Sequence, residues 1–283
     1  MYYGIHVFPT EHSIQPDELA LEVEERDFES VWFSEHTHIP VKFLNSGEDG
    51  PALPDYYWQI YDPFVASTLA CAVTSRIKIG TGVCLVVEHD PITLAKTVAS
   101  VDQASKGRFI FGIGAGWIAE EMENHGVTYQ TRYRLIDEQL TAIKKIWIED
   151  EVEFKGDFVQ FSKMKSYPKP YQNPSPPIIA GGGTGPKSLD LVVQHCDGWM
   201  PLLGFPEWDR IKGGIENLNQ RALQIGRDPS SIELSIFCWS PPDQQTREEM
   251  ETLGIKKIII TLEARDRDSV LPLLDKYAKL NSG

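Results

Sequence analysis

The sequence predicts an α/β fold in which eight strand–helix units close into a (β/α)8 TIM barrel. The chain has 283 residues, and barrels of this class average about 250. Short apolar runs alternate with helical patterns along the whole sequence, which is typical of a parallel sheet. The units number eight, which is the number that closes a barrel, whereas doubly wound open sheets rarely carry eight regular units.

The predicted strands are apolar or β-branched, and helical patterns follow them, several beginning near Pro or Asp as helix starts should. The strands are predicted at 2–8, 30–34, 77–87, 108–113, 177–180, 198–202, 232–238 and 256–261. The helices are predicted at 16–27, 62–74, 91–104, 131–148, 186–195, 206–224, 243–253 and 266–280. No linker divides these units, so we expect residues 1–283 to form a single barrel domain.

Two insertions interrupt this alternation. Segment 36–61, after the second strand, is long and rich in Pro, Gly and aromatic residues. Long loops in compact domains are usually functional or disordered, and the aromatic content favours a lid or a substrate wall. Segment 152–161 alternates around Lys155-Gly-Asp157, which predicts a β-hairpin before the fifth strand.

Composition argues against several classes of function. The 27 basic and 41 acidic side chains give a net charge of −14, which disfavours general binding to nucleic acid or to an anionic membrane. No apolar run is long enough to span a membrane, and the chain starts in a strand pattern without a signal peptide. Cys71, Cys84, Cys196 and Cys238 lie in separate apolar runs, which predicts buried free thiols. We expect a cytoplasmic protein.

A glycine-rich turn, Ile178-Ile-Ala-Gly-Gly-Gly-Thr-Gly185, joins the fifth strand to the next helix. Glycines allow close approach of the backbone and positive φ angles. A turn that feeds a helix N-terminus also gathers unpaired N–H groups that suit a phosphate. A plain connection without a ligand is the alternative, but the C-terminal ends of barrel strands are where active sites lie.

Glycine is also concentrated at the ends of the third and fourth strands, in Gly82-Val-Cys84 and Gly114-Ala-Gly-Trp117. Flat, unobstructed backbone on one rim suggests a large planar or phosphorylated ligand lying across it. The string Gly112-Ile-Gly-Ala-Gly-Trp117 lacks the spacing and the later acidic residue of a dinucleotide-binding motif. We therefore interpret it as glycine required for close approach.

The string Glu35-His-Thr-His38 ends the second strand and has competing interpretations. His36 and His38 could bind a metal, as in metal-dependent barrel hydrolases, but such a centre needs further ligands after later strands. The other histidines do not supply them by position: His6, His12, His89, His125 and His195. Alternatively, one imidazole acts as a general acid or base. An ordinary hydrogen-bonded histidine is the third interpretation.

In their order and spacing these motifs resemble the bacterial luciferase-like monooxygenase superfamily, and most closely its coenzyme F420-dependent oxidoreductases. The resemblance runs from the first strand to about Pro201, and the last third of the chain matches mainly in layout. It implies a (β/α)8 barrel that holds F420, or FMN in sister branches, at the C-terminal rim. The matching strings are Ser34-Glu-His-Thr-His-Ile-Pro40, Thr81-Gly-Val-Cys-Leu85, Gly112-Ile-Gly-Ala-Gly-Trp117, Ile179-Ala-Gly-Gly-Gly-Thr-Gly185 and Asp197-Gly-Trp199.

The resemblance also implies roles for individual residues. A bulge at Gly82-Val83, often with a non-prolyl cis peptide, would support the cofactor ring, and His36 would face ring and substrate beside its acidic partner Glu35. Some family dehydrogenases place a glutamate just after the strand-four glycines, where this chain has Trp117, with Glu120 and Glu121 a turn later. The implied cofactor-binding residues are Ser34, Gly82, Val83, Ala115, Gly116, Trp117, Gly182, Gly183 and Thr184.

The expected function is therefore hydride transfer between F420 and a small, largely apolar organic substrate, with His36 relaying a proton and Glu35 orienting it. An FMN-dependent monooxygenase that uses O2 and reduced flavin is the first alternative. A metal-dependent barrel hydrolase at His36 and His38 is the second; no metal is expected otherwise. A homodimer is expected from the resemblance and from apolar helix residues: Phe64, Leu69, Ile92, Leu94 and Val98.

Overall fold

The computed structural model describes residues 1–45, 53–204 and 207–282. Part of the predicted loop at 36–61, namely residues 46–52, lies outside the described residues. Position 206, the predicted start of the sixth helix, also lies outside them. The described strands are β1 (Tyr2–Val7), β2 (Ser30–Phe33), β3 (Lys78–Thr81), β4 (Cys84–Leu85), β5 (Phe109–Gly114), β6 (Val152–Lys155), β7 (Gln160–Met164), β8 (Ile178–Gly181), β9 (Gly198–Met200), β10 (Glu233–Cys238) and β11 (Ile255–Leu262).

Helices cover the strands on the outside. They are α1 (Pro16–Glu25), α2 (Val41–Asn45), α3 (Pro63–Val73), α4 (Pro91–Ser105), α5 (Ala119–Asn124), α6 (Arg132–Ile148), α7 (Pro186–His195), α8 (Trp208–Gln224), α9 (Gln244–Thr252) and α10 (Arg267–Ala278). None of these helices is long and apolar enough to cross a membrane.

The strands form a closed parallel barrel. Their order is β3-β2-β1-β11-β10-β9-β8-β5-β4, and β3 also pairs with β5, which closes the sheet. β3 and β4 are two halves of the third barrel strand, interrupted at Gly82-Val83, where the peptide bond is cis. The predicted (β/α)8 barrel is thus confirmed, but the strand predicted without a break at 77–87 is shorter and interrupted, as the resemblance implied.

Capping residues explain where the predicted helices begin. The carboxylates of Asp62, Asp90, Asp243 and Asp266 each accept hydrogen bonds from N–H groups two or three residues ahead. These bonds satisfy donors that have no partner within the helix. The short helices α2 and α5 were not predicted, because neither has enough turns to show an apolar repeat.

The predicted hairpin before the fifth barrel strand is confirmed. β6 and β7 pair in antiparallel fashion, with Val152 opposite Met164. The carboxylate of Glu138, on α6, accepts hydrogen bonds from the backbone N–H groups of Asp157, Phe158 and Val159 at 3.0, 2.8 and 3.1 Å. These bonds anchor the hairpin turn to α6.

The core has two layers, as the alternation of side chains along barrel strands requires. Apolar residues pack between the strands and the outer helices. A smaller cluster fills the barrel interior: Trp32, Ile110, Ile179, Met200, Phe237 and Ile259. Cys71, Cys84, Cys196 and Cys238 are buried and free, as predicted.

Candidate active site

One cavity of about 870 Å³ opens at the C-terminal ends of the barrel strands. All the residues predicted from the sequence to form the site line it, although they come from four separate stretches of chain. The predicted lining residues are Ser34, Glu35, His36, Gly82, Val83, Ala115, Gly116, Trp117, Gly182, Gly183 and Thr184.

Val83 forms part of the cavity floor. A Cβ atom placed on Gly114 would lie 2.7 Å from one methyl carbon of Val83, and a Cβ on Gly181 would lie 2.8 Å from the other. Real Cβ atoms do not approach other carbons so closely. The glycines that end β5 and β8 are therefore required by the side chain of Val83, which they allow to face the cavity.

The glycine-rich turn after β8 leaves open space in front of the N-terminus of α7. Gly185 caps this helix without any side-chain hydrogen bond, and Pro186 occupies its first turn. A Cβ on Gly183 would have no described atom within 4 Å. The positive φ angle that the turn needs lies at Gly182, at 151°, and not at Gly183. Uncapped helical N–H groups facing an open space form a site suited to an anion.

The partner of His36 is Glu121. The Nδ1 atom of His36 lies 2.8 Å from Oε2 of Glu121, and both side chains are buried. Oε1 of Glu121 accepts a second hydrogen bond from the backbone N–H of Thr37, at 3.2 Å. Because a carboxylate can only accept, the Nδ1 proton points to Glu121 and Nε2 is left for a ligand. The ring also contacts Tyr57 and Trp117, with centroids 5.5 and 6.0 Å away.

The expectation that Glu35 orients His36 is wrong. The carboxylate of Glu35 accepts hydrogen bonds from the backbone N–H of Leu85, at 2.5 Å, and from Nε2 of His89, at 2.8 Å. Burial lowers the pKa of His89, but the hydrogen bond and the charge of Glu35 outweigh it and raise the pKa overall. Glu35 thus joins the end of β2 to β4 and to His89 in the segment after it, while His36 takes its carboxylate from α5.

The hydrolase alternative lacks its ligands among the described residues. Nδ1 of His38 lies 2.8 Å from the Thr37 hydroxyl, and its Nε2 accepts from the amide of Asn124 at 2.7 Å. In residues 1–45, 53–204 and 207–282, the group with ligand-like spacing is Glu35, Cys84 and His89, and it contains neither His36 nor His38. That group is a hydrogen-bonded network, since Glu35 is already bound to His89, and the Cys84 thiol is held protonated by burial and by Glu35.

His6, whose position in the sequence lies within the first predicted strand, lines the cavity floor. Its Nε2 lies 2.6 Å from the hydroxyl of Ser34, and its Nδ1 lies 3.1 Å from that of Thr261. Burial lowers the pKa of His6 to about 3, so the ring is neutral at physiological pH. The period-two alternation of a barrel strand, which places every second residue inward, could have located it.

The remaining walls divide into an aromatic and a cationic part. Aromatic side chains from three different strand ends and from the loop after β2 line one part: Phe8, Tyr57, Trp117, Phe237 and Trp239. Arg132 and Arg210 line another part, and neither was predicted. The guanidinium of Arg132 lies 3.6 Å from the ring centre of Tyr129, and its buried Nε has no hydrogen-bond partner in the described part of the chain. The position of Arg132 at the start of a helix on the rim could have indicated from the sequence that it lines the cavity.

Comparison with known proteins gives a consistent result. A family model described as luciferase-like monooxygenase matches residues 15–271. An uncharacterized protein of Mycobacterium tuberculosis is 33% identical over 281 residues, covering 98% of both chains. An F420-dependent glucose-6-phosphate dehydrogenase of Amycolatopsis mediterranei is 32% identical over 268 residues, covering 84% of this chain and 75% of that protein.

The fold is likewise shared with a solved structure. The monooxygenase RslO1 from Streptomyces bottropensis superposes with a TM-score of 0.78, covering 99% of this chain and 98% of that chain at 19% sequence identity. At this level of identity the likeness concerns the fold, and it extends over the whole barrel.

Proposed function

The chain belongs to the luciferase-like monooxygenase family, and from this premise we propose that it is an F420-dependent oxidoreductase. In this proposal it transfers a hydride between the deazaflavin and a small, largely apolar organic substrate. The observation that carries the proposal is that one cavity combines an open, uncapped helix N-terminus, a glycine-lined floor and a buried histidine–carboxylate pair. The F420 dependence of the dehydrogenase from A. mediterranei supports the choice of cofactor.

The residues of the cavity fit such a cofactor. The open space before Gly183 and Gly185, at the uncapped start of α7, has room and N–H donors for a phosphate. Val83 would support one face of the ring, while Ala115, Gly116 and Trp117 would border it. Arg132, with an unpaired buried Nε, adds a cation that can bind an acidic tail.

F420, when bound, supplies a hydride donor or acceptor, and this chain must position the substrate and handle one proton. We assign the proton to Nε2 of His36. Glu121 holds Nδ1, which fixes the tautomer and stabilises the imidazolium when Nε2 is protonated. His6 remains neutral and supports Ser34 beside the floor.

The aromatic wall indicates the class of substrate. Phe8, Tyr57 and Trp239 present apolar surface to the cavity. Tyr57 also contacts the ring of His36, so this surface lies beside the proposed proton-transfer group. We therefore propose a neutral organic carbonyl compound or alcohol rather than the glucose 6-phosphate used by the relative from A. mediterranei. Turnover of neutral ketones and alcohols, compared with glucose 6-phosphate in the presence of F420, tests this; selective use of the sugar phosphate would contradict it.

The second candidate is an FMN-dependent monooxygenase that uses O2 and reduced flavin. The family description and the fold shared with RslO1 favour it. Titration of the purified protein with F420 and with FMN, followed by absorbance, separates the two candidates. We expect tight binding of F420 and weak binding of FMN. The opposite order, with O2 consumption in the presence of reduced FMN, would favour the monooxygenase.

We also propose a homodimer, through only a part of the surface first expected. Phe64, Leu94 and Val98 are buried against the barrel, and Ile92 packs partly on it. Of the five residues expected at the interface, Leu69 is exposed. It lies on α3 in an apolar stripe with Val65 and Val73 at helical spacing. Sedimentation of the parent and of Leu69→Glu tests the dimer; a monomeric parent at micromolar concentration would remove it.

A further inference from the structure

Helix α8 packs directly against the glycine-rich turn at Gly214. Gly214 is buried in the middle of this helix. A Cβ atom placed on it would lie 2.8 Å from Cγ2 of Thr184, 3.3 Å from Cβ of the same residue and 2.8 Å from Cη2 of Trp199. Trp199 is 1% exposed, so a close-packed interior gives its ring little room to move. Glycine at this position therefore allows α8 to approach the turn.

The same face of α8 also reaches the cavity. Arg210, one helical turn before Gly214, lines the cavity, and residues four positions apart lie on one side of a helix. Asp190 of α7 and Arg221 of α8 form an ion pair, which joins α8 to the helix that follows the turn. Helix α8 thus borders the ligand space at its start and supports the glycine-rich turn further along.

The turn is held on two sides and open between them. A Cβ atom on Gly182 would lie 2.9 Å from the Ser188 hydroxyl, so α7 packs closely on the first side. Thr184 packs against α8 on the second side. A Cβ on Gly183, which lies between them, would have no described atom within 4 Å. The two contacts therefore fix the turn without filling the space that it leaves for a ligand.

The methyl group of Thr184 faces α8, and its hydroxyl does not. The atoms of Thr184 nearest to the Cβ position on Gly214 are Cγ2 and Cβ. The hydroxyl occupies another staggered position, about 120° away around the Cα–Cβ bond. Thr184 itself lines the cavity. Contact between the methyl group and α8 therefore selects one rotamer of a side chain that borders the ligand.

We propose that Gly214 is a positioning residue, which lets α8 hold the Thr184 hydroxyl in the orientation that donates a hydrogen bond to the cofactor phosphate. The inference rests on the proposed function, in which this turn binds that phosphate. Gly214 does not line the cavity, so it acts on the ligand only through Thr184.

The competing interpretation is that Gly214 only lets α8 pack on Trp199. The neighbouring Gly213 provides the control, because a Cβ atom there would meet no described atom within 4 Å. Both glycines lie inside α8, and alanine has the same advantage in helix propensity over either of them. A difference between Gly214→Ala and Gly213→Ala therefore reports the contacts of the added methyl group.

Titration with two ligands separates the two interpretations. The ligands are F420 and the phosphate-free deazaflavin that ends at its ribityl chain. Gly214→Ala should weaken binding of F420 about tenfold or more, which corresponds to one hydrogen bond to a charged group. It should leave binding of the phosphate-free form within about twofold of the parent, and Gly213→Ala should bind both as the parent does. An equal loss for both ligands, or parent-like binding of F420 by Gly214→Ala, would overturn the proposal.

Because Gly214→Ala could fold poorly, substitutions of Thr184 provide a second test with α8 unchanged. Thr184→Val keeps a methyl group against α8 but removes the donor, and it should weaken F420 about tenfold. Thr184→Ser keeps the donor but removes the methyl group, so that the hydroxyl samples three staggered positions and F420 binds about threefold more weakly. Neither variant should change binding of the phosphate-free form. Parent-like binding of F420 by Thr184→Ser would show that the methyl contact positions nothing.

The double variant Gly214→Ala/Thr184→Ser tests the contact itself. With the methyl group of Thr184 absent, alanine at 214 no longer displaces the hydroxyl. Binding of F420 should then recover from the level of Gly214→Ala to that of Thr184→Ser. A defect caused by contact with Trp199 would not be relieved by the change at Thr184. A double variant that binds F420 as weakly as Gly214→Ala does would therefore overturn the proposal.

The same titrations distinguish failure of this inference from failure of the proposed function. If the parent binds F420 no more tightly than the phosphate-free form, the inference fails while the choice of cofactor stands. If the parent binds FMN and not F420, the proposed function fails, and FMN compared with riboflavin becomes the pair that tests Gly214. If none of the four ligands binds, both fail.

Discussion

The Nδ1 atom of His36 lies 2.8 Å from Oε2 of Glu121, a residue 85 positions further along the chain. Both side chains are almost fully buried. The pair joins the end of β2 to α5, and the ring of His36 contacts Tyr57 and Trp117, which line the same cavity. A buried imidazole with one nitrogen fixed and the other free is suited to moving a single proton.

Replacing His36 tests this role. His36→Ala should lower kcat by roughly 10²–10⁴-fold while leaving the affinity for F420 largely intact, because the ring acts on the proton and not on the cofactor phosphate. His38→Ala is the matched control, since the His38 ring is bound by Thr37 and Asn124 outside the cavity. Steady-state kinetics and F420 titration give the two readouts. Activity within about twofold of the parent would refute the assignment.

Glu121 and Glu35 should be separable by substitution. Glu121→Gln removes the charge behind His36 and should lower kcat about 10–10³-fold. Glu35→Gln weakens the bonds to Leu85 and His89, and should lower the free energy of unfolding by about 1–3 kcal/mol with a smaller effect on kcat. Urea unfolding and kinetics on both variants check this. If Glu35→Gln lowered kcat more than Glu121→Gln did, Glu35 and not Glu121 would be the residue that orients His36.

The barrel was predictable because its signals are local. Each strand and each helix has its own apolar period, and residues such as Asp62 and Asp90 mark helix starts in the sequence. The gathering of the glycines was also predictable, since the C-terminal ends of parallel barrel strands meet on one rim. Position along the chain therefore gave the cavity lining from Ser34 to Thr184.

The hydrogen-bond partners of Glu35 and His36 were not predictable in the same way. Glu35 and His36 are adjacent, and successive residues of extended backbone point in opposite directions, so adjacency separates their side chains. Glu121 lies on a six-residue helix with two neighbouring glutamates, Glu120 and Glu123. The path of the loop between β5 and α5 decides which of them turns inward, and no local pattern encodes that path.

His6 should make stability depend on pH. Its pKa is lowered by burial from 6.5 to about 3, so the unfolded chain binds the proton more readily. The contribution of neutral His6 to the free energy of unfolding is fully present above pH 6.5 and is lost as the pH falls towards 3. Between pH 7 and pH 4.5 we expect a loss of about 2–3 kcal/mol.

Urea unfolding of the parent and of His6→Asn measures this loss. The destabilisation caused by His6→Asn should shrink in acid, because the variant has no proton to take up there. His12→Asn, at a site with a 74% exposed side chain, is the control and should show no such change. A constant difference between the parent and His6→Asn from pH 7 to pH 4.5 would contradict the burial argument.

The phosphate site gives the last prediction. Several charge-assisted hydrogen bonds to a phosphate contribute about 1.5–3 kcal/mol each, so the turn after β8 should dominate the anchoring of the cofactor. A valine at Gly183 would project into the space that the phosphate needs, and no described atom lies within 4 Å of its Cβ. The substitution should therefore spare the fold and block the ligand.

Gly183→Val should weaken F420 binding by about 2 kcal/mol or more, roughly thirtyfold, with an unchanged circular dichroism spectrum. Gly213→Val is the matched control, because a Cβ there also meets no described atom within 4 Å and Gly213 does not line the cavity. Gly182→Val should instead damage the fold, because Gly182 has a φ of 151° and its Cβ would lie 2.9 Å from the Ser188 hydroxyl. If Gly183→Val bound F420 and FMN as the parent does, the turn would be a structural connection, and the cofactor would have to be anchored elsewhere, with Arg132 and Arg210 as the next residues to replace.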